Sequence, residues 1–188
     1  MVTPYYNKTS QAGLIEHFNF IADRVSTPII LYNVPSRTGL NIKPETYYEL
    51  SKHIVAAKEA NGDISALAQT VKLCGDELTI YSGNDDQITA FMSLGAKGVI
   101  SVLSNIAPSA VHDMVKMYLD GDTAASTELQ LKYLDLCSSL FSDVNPIPVK
   151  EAMNMMGMEV GSCRLPLAQI QPQAKEKLRR SLSALGMI

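Results

Sequence analysis

The 188-residue chain is 46% hydrophobic and 19% charged, with a formal net charge of -3. That is enough apolar side chain for one sizeable core, and it excludes an intrinsically disordered segment. With no block of Lys or Arg the chain also lacks the basic footprint that nucleic acid or an anionic membrane surface requires, so neither is expected as a partner.

At the N-terminus "VTPYY" (2–6) ends like a strand that runs into a loop, and "MVTPYYNKTS" has neither the basic nor the apolar region of a signal peptide. No run reaches the roughly 18 apolar residues of a membrane span, so the expected compartment is the cytoplasm. Leu14, Phe18, Ile21 and Val25 recur at helical spacing. Strands are then expected over "PIILYNV" (28–34), "IVAAK" (54–58), "LTIYSG" (78–83) and "KGVISVL" (97–103), with Ile64, Leu67, Val71 and Cys74 marking a helix between the second and third. Asp63 is placed to cap that helix, Asp85 to cap one carrying Ile88 and Phe91 that Gly95 ends, and Pro108 to stand in the first turn before Val111 and Val115. Near-continuous apolar strands alternating with amphipathic helices, at a repeat of about 20 to 25 residues, describe a parallel sheet covered by its crossover helices.

From about residue 121 the strand signals stop. "LQLKYLDLCSSL", "PIPVKEAMNMMG" and "PQAKEKLRRSLSALG" read as three amphipathic helices, with Leu129, Tyr133, Leu136 and Leu140 on one stripe. The Met-rich stretch 153–158 reads as core filler or a packing seam rather than a metal cluster. Counting the N-terminal stub there are about five strands, against the eight strands and about 250 residues of a closed barrel. Either the sheet is open or the chain begins partway around a barrel, and the second is favoured because the first residues already resemble the C-terminal end of a strand, with nothing to cover that edge. The expected fold is α/β: a partial (β/α)8 TIM barrel, about its last five βα units, over residues 1–120, followed by a helical domain over 121–188.

Cys74, Cys137 and Cys163 are odd in number and contain no C-x-x-C pair, so they read as small core residues. His17, His53 and His112 have no partner at ligand spacing, so a metal site is not expected. In parallel α/β folds ligands gather where the βα loops converge, at the C-terminal strand ends. The residues there are Tyr5 and Tyr6, Tyr32 and Arg37, Lys58, Gly83 with Asn84 and Asp85, and Ile100 with Ser101. A lysine ending an apolar strand suggests carbonyl chemistry, since desolvation favours the free amine that attacks a ketone to form a Schiff base. A nearby phenol can shuttle the protons, and Arg37 can hold a carboxylate by two parallel hydrogen bonds. Taken singly, each has an ordinary reading: Lys58 a strand-end lysine, Glu59 a surface charge, and Asp85 and Asp86 helix caps.

The motifs "VTPYYNK", "YNVPSRTG", "KEA" and "GVISV", with "NPIPVK" (145–150) and "RLPL" (164–167) in the tail, resemble in order the dihydrodipicolinate synthase family of pyruvate-dependent Schiff-base lyases and aldolases. The resemblance covers essentially the whole chain. It implies that Lys58 forms the imine with pyruvate and that Tyr32 relays its protons. It further implies that Tyr6 belongs to the relay of a neighbouring subunit, that Arg37 binds the carboxylate of aspartate semialdehyde, and that Gly83 and the main chain at Ile100 line the pyruvate pocket. Tyr5 resembles a residue near an allosteric lysine site. The implied product is 4-hydroxy-tetrahydrodipicolinate, on the route to lysine and diaminopimelate, made by a homo-oligomer (a dimer or a dimer of dimers) with no cofactor beyond the covalent imine.

The family's Thr-Thr-Gly-Glu loop, one threonine of which bridges the relay tyrosines, has no counterpart here, nor do the first three barrel strands. A five-stranded remnant is expected to expose apolar interior and to associate, and loss of a relay group to cost about 10² to 10⁴ in rate. "LSKHIVAAKEA" is also about two residues shorter than the family's connection, within the usual spread of loop lengths. Two alternatives stand beside the synthase: another pyruvate-dependent aldolase, such as an N-acetylneuraminate lyase-like or sugar-acid enzyme, from which Arg37 tilts the reading away, and a non-catalytic truncated paralogue.

Overall fold

The computed structural model describes residues 1–188, which form two compact units, Met1–Ile100 and Ser101–Ile188. The first unit runs α1 (Gln11–Ala22), β1 (Ile30–Asn33), the single turn α2 (Pro35–Thr38), α3 (Pro44–Leu50), β2 (Ala56–Glu59), α4 (Ile64–Cys74), β3 (Thr79–Ser82) and α5 (Ile88–Ser93). Helix starts follow their capping chemistry: the Ser10 hydroxyl accepts from the Gly13 N–H at 3.2 Å, and Asp63 Oδ1, as expected, from that of Ala66 at 2.9 Å. Asp85 departs from its expected capping role. It lies within a 3-10 turn, Asp85–Gln87, that delays the start of α5 to Ile88 and buries the carboxylate.

The three strands pair in parallel in the order β1-β2-β3, with Ile30, Ala56 and Thr79 in register at one end and Asn33, Glu59 and Ser82 at the other. Of the five strands expected, two are reduced to single parallel bridges, Val2 with Tyr32 and Val99 with Ser82. The first cannot extend through Pro4, which has no N–H to donate, and the second gives way to a 3-10 turn at Leu103–Asn105.

Side chains alternate across each strand, so residues in register share a face. Leu31, Ala57 and Ile80 point back into a core with Leu14 and Phe18 of α1, Leu50 of α3, Leu67 of α4 and Phe91 of α5. At about 1.5–3 kcal/mol for each large apolar side chain removed from water, this layer decides which face of the sheet is covered. The front face carries Ile30, Tyr32, Ala56, Lys58, Thr79 and Tyr81 and is the more open, with Ile30 41% exposed.

The second unit is helical: α6 (Pro108–Leu119), α7 (Thr123–Lys132), α8 (Leu134–Leu140), α9 (Ile147–Met155) and α10 (Pro172–Ala184). Pro108 occupies the first turn of α6, as its fixed φ favours. The helix expected over "LQLKYLDLCSSL" is broken at Tyr133, whose ψ of 0° ends α7 and leaves four helices beyond residue 121 rather than three. The compact units divide after Ile100, ahead of the 120/121 boundary at which strand signals cease, because α6 packs on α7. There the buried Ser126 hydroxyl donates to the Met114 carbonyl at 2.7 Å. Leu136 and Leu140 of α8 and Leu178 and Leu182 of α10 are buried, and the Ser139 and Ser181 hydroxyls meet at 2.7 Å. Met153, Met155 and Met156 are half-buried and Met158 is exposed, so the Met-rich stretch edges the helical core without filling it. No helix is long and apolar enough to cross a membrane.

Candidate active site

Parallel pairing places Tyr32, Lys58 and Tyr81 in one row across the front face. Adjacent strands lie about 4.8 Å apart, so the three side chains leave the sheet as neighbours. The Lys58 Nζ stands 4.3 Å from the centroid of the Tyr32 ring, within cation–π range. Burial holds the Lys58 pKa below the usual lysine value, and the Asp85 carboxylate pulls in the opposite direction. Burial raises the Tyr32 phenol, which keeps its proton, while the Arg37 guanidinium acts to lower it. An amine that sheds its charge more readily than free lysine, with a protonated phenol beside it, has the parts for attack on a carbonyl and for passing the protons that follow.

The elements after each strand supply the rest. Asn33 runs into α2, which Pro35 starts and Gly39 closes in the left-handed conformation (φ 63°), and this single turn carries Arg37, exposed, beside Tyr32. Gly83 ends β3 where a side chain has no room: a Cβ there would lie 2.6 Å from the Ala60 Cβ and 3.0 Å from the Glu59 carbonyl oxygen. Its own N–H donates to that carbonyl at 2.7 Å, which draws the ends of β2 and β3 together. The Ile100 N–H donates to the Ser82 carbonyl at 2.9 Å and brings this exposed residue to the same edge.

Tyr5 and Tyr6 follow the Val2 bridge and are 69% and 88% exposed. Neither side chain makes a hydrogen bond or ring contact within the chain. The structure therefore groups Lys58, Tyr32 and Arg37, sets Gly83 and Ile100 on the adjoining edge, and leaves Tyr5 and Tyr6 facing solvent.

Glu59 is not the surface charge expected of it. It is buried, accepting from Asn33 Nδ2 at 3.0 and 2.9 Å, from the Tyr47 hydroxyl at 3.0 Å and from the Asn61 N–H at 2.8 Å. The signal lay in the alternation: Glu59 has the phase of the buried Ala57, and Asn33 that of Leu31. Tyr81 could have been found in the same way, by its phase with Lys58. Asp85, expected as a helix cap, is buried as well. No cluster of three His, Cys, Asp or Glu side chains is placed to hold a metal ion.

Two concavities of about 940 and 700 Å³ lie in the helical unit, one lined by residues of α8 and α10 and the other by Lys150, Glu151 and the 161–170 segment. Neither includes a strand-end candidate. An open sheet face encloses little volume, so neither concavity coincides with the Lys58 amine.

The chain matches the sequence profile of the Dihydrodipicolinate synthetase family over residues 1–185. It is 57% identical over 188 residues to the 4-hydroxy-tetrahydrodipicolinate synthase of Caldicellulosiruptor saccharolyticus, covering 99% of this chain and 63% of that protein. The same enzyme of a Thermoanaerobacter species is 51% identical over 191 residues, with 100% of this chain and 64% of that one covered. Among solved structures, dihydrodipicolinate synthase of Thermotoga maritima superposes with a TM-score of 0.96 at 40% identity, covering 100% of this chain and 65% of the other. The chain thus spans about 63–65% of the length of these relatives. With a profile match that runs almost end to end and a backbone that superposes throughout, the chain belongs to the dihydrodipicolinate synthetase family.

Proposed function

We propose that this chain acts in the condensation of pyruvate with L-aspartate 4-semialdehyde, giving 4-hydroxy-tetrahydrodipicolinate and water on the route to diaminopimelate and lysine. The observation that carries the reading is the half-buried Lys58 amine, depressed in pKa and held 4.3 Å from the Tyr32 ring at the C-terminal end of a parallel strand. Lys58 Nζ attacks the keto carbon of pyruvate, water leaves, and an imine results. Loss of a methyl proton gives the enamine, which forms the new carbon–carbon bond at the aldehyde carbon of the second substrate. The amino group of that substrate then displaces Lys58 from the imine carbon, closing the ring and freeing the amine.

In this reading Tyr32 is the proton relay at the imine, and Tyr6, exposed on its loop, completes the relay of a second copy, which makes the working form a homo-oligomer. Arg37 holds the semialdehyde's carboxylate through paired hydrogen bonds. The main chain at Gly83 and Ile100 lines the pyruvate pocket, Tyr5 borders a regulatory lysine site, and the covalent imine stands in place of a cofactor. A cytoplasmic location belongs to the same reading. The sheet corresponds to about the last five βα units of a TIM barrel, supported by five adjacent parallel positions in the order Val2, β1, β2, β3, Val99.

The test is borohydride reduction of the chain with pyruvate, followed by peptide mapping. An adduct confined to Lys58, absent from Lys58→Ala, is expected. Arg37→Ala should keep the adduct and lose turnover selectively with aspartate semialdehyde. A sugar-acid aldolase would show no such selectivity, and a folded chain that traps no pyruvate would end the catalytic reading.

A further inference from the structure

Behind the reactive strand ends lies a polar cluster that the proposed reaction does not use. Asn33 and Glu59 are register partners, one residue beyond Tyr32 and Lys58, and both point to the opposite side of the sheet. The buried Glu59 carboxylate is met by neutral donors, the Asn33 amide, the Tyr47 hydroxyl and the Asn61 and Ala60 N–H groups, and no Lys, Arg or His forms an ion pair with it. Asn33 is the hub. Its Nδ2 also donates to Asn41 Oδ1 at 2.7 Å, and its Oδ1 accepts the Ile42 N–H at 3.1 Å. The cluster therefore joins the last residues of β1 and β2 to α3 and to the loop through which the chain leaves the turn carrying Arg37.

Such a cluster is a poor way to hold a sheet together. Burying a carboxylate among neutral donors costs desolvation that an apolar pair would avoid. What it supplies is direction: each donor fits one geometry only, and a fully satisfied polar network specifies a unique arrangement. It sits where specification is needed, at the end of a parallel ladder, beyond which β1 and β2 are free to diverge.

We propose that Asn33, Tyr47 and Glu59 form a positioning clamp that holds the Tyr32 ring against the Lys58 amine and fixes the base of the turn bearing Arg37. The proposal rests on the reading of Lys58 as the imine-forming residue. None of the three touches substrate; they act through the strand ends they join.

The experiment separates geometry from charge. Lys58 is faced by Tyr32 from β1, by Tyr81 from β3 and by Asp85 from the following turn, with Glu59 behind it. Tyr47→Phe removes one hydrogen bond of the clamp and leaves every one of these groups in place, whereas Glu59→Gln also removes a charge. The Lys58 amine is read by competitive labelling with acetic anhydride over a pH series and peptide mapping, which requires no pyruvate. If the clamp positions, Tyr47→Phe lets water reach the amine, and the labelling midpoint rises toward that of free lysine.

Borohydride trapping with pyruvate at fixed pH should fall about ten- to a hundredfold, the scale expected of an ångström-sized misplacement. In a Tyr32→Phe background the same substitution should cost much less, because the ring through which it acts is already altered. Circular dichroism and melting establish that each variant folds. Should Glu59→Gln fail to fold, Tyr47→Phe alone decides.

The clamp is overturned if folded Tyr47→Phe keeps the native labelling midpoint and its trapping loss is undiminished beside Tyr32→Phe. It is overturned equally if only Glu59→Gln moves the midpoint, and downward, which would make Glu59 a distant charge and nothing more. A native chain that labels at a depressed midpoint but traps no pyruvate removes the reaction reading and leaves the labelling comparison to judge the clamp.

Discussion

Gly83→Ala should be among the most damaging single-atom additions in the α/β unit. The added Cβ would stand 2.6 Å from the Ala60 Cβ, 3.0 Å from the Glu59 carbonyl oxygen and 3.2 Å from the Ala60 Cα. Two of these are main-chain atoms and the third is bonded to one, so no rotamer change relieves the contact. The ends of β2 and β3 must separate by several tenths of an ångström, about 1–3 kcal/mol for overpacking of this kind. That separation also loosens the 2.7 Å bond from the Gly83 N–H to the Glu59 carbonyl, about 0.5–1.5 kcal/mol more. A loss of roughly 2–4 kcal/mol lowers the melting temperature of a chain this size by about 5–15 °C. Thermal melting followed by circular dichroism reads the shift, and borohydride trapping on the folded variant reads its effect at Lys58, one residue before the strained carbonyl. A Gly83→Ala protein that melts within about 1 °C of the native chain would refute the packing account.

Lys58 should label and trap pyruvate with a pH midpoint below that of free lysine, because only the neutral amine reacts and burial favours it; a midpoint at the ordinary value in the native chain contradicts this. Burial raises the Glu59 carboxyl against the hydrogen bonds that lower it, so the folded state holds this proton more tightly than the unfolded chain. Its stabilising contribution is therefore present below the ordinary glutamate value and lost as pH rises through the raised one. The difference in stability between native and Glu59→Gln, followed by urea unfolding across that window, should turn in favour of the variant, and a flat difference would refute it. Of the three cysteines, half-buried Cys163 should react with a thiol reagent in the folded chain. Cys137, buried, and Cys74, buried and with its thiol pushed up to about 11, should wait for unfolding.

The parallel sheet and its helices were legible because local signals and the fold agree: apolar runs end in loops, and Asp63 and Pro108 begin helices where their chemistry permits. The grouping of the candidate residues was legible for the same reason, since Tyr32 and Lys58 stand at strand ends, Arg37 on the turn that follows, and parallel pairing brings strand ends together. What escaped was anything that needed two segments at once. Glu59 reads as a surface charge until Asn33 and Tyr47 are seen to meet it, and those partners lie 26 and 12 residues away. Asp85 reads as a cap until the 3-10 turn displaces it inward. The break at Tyr133 left no Gly or Pro in the sequence, and the division between units depends on α6 packing onto α7, which periodicity cannot report.

Each strand end of this sheet holds two consecutive residues with opposite duties: Tyr32 in front and Asn33 behind, Lys58 in front and Glu59 behind, Tyr81 in front and Ser82 behind. Insertion or deletion of one residue inside β2 would exchange those duties in a single step, turning the carboxylate outward and driving the amine into the apolar layer. The front-face row and the core would be lost together, with no intermediate form that keeps one of them. Length changes in the loops before the strands carry no such penalty, since they leave the phase untouched. The strands are thus readable only in one frame, and gradual change has to enter through the loops.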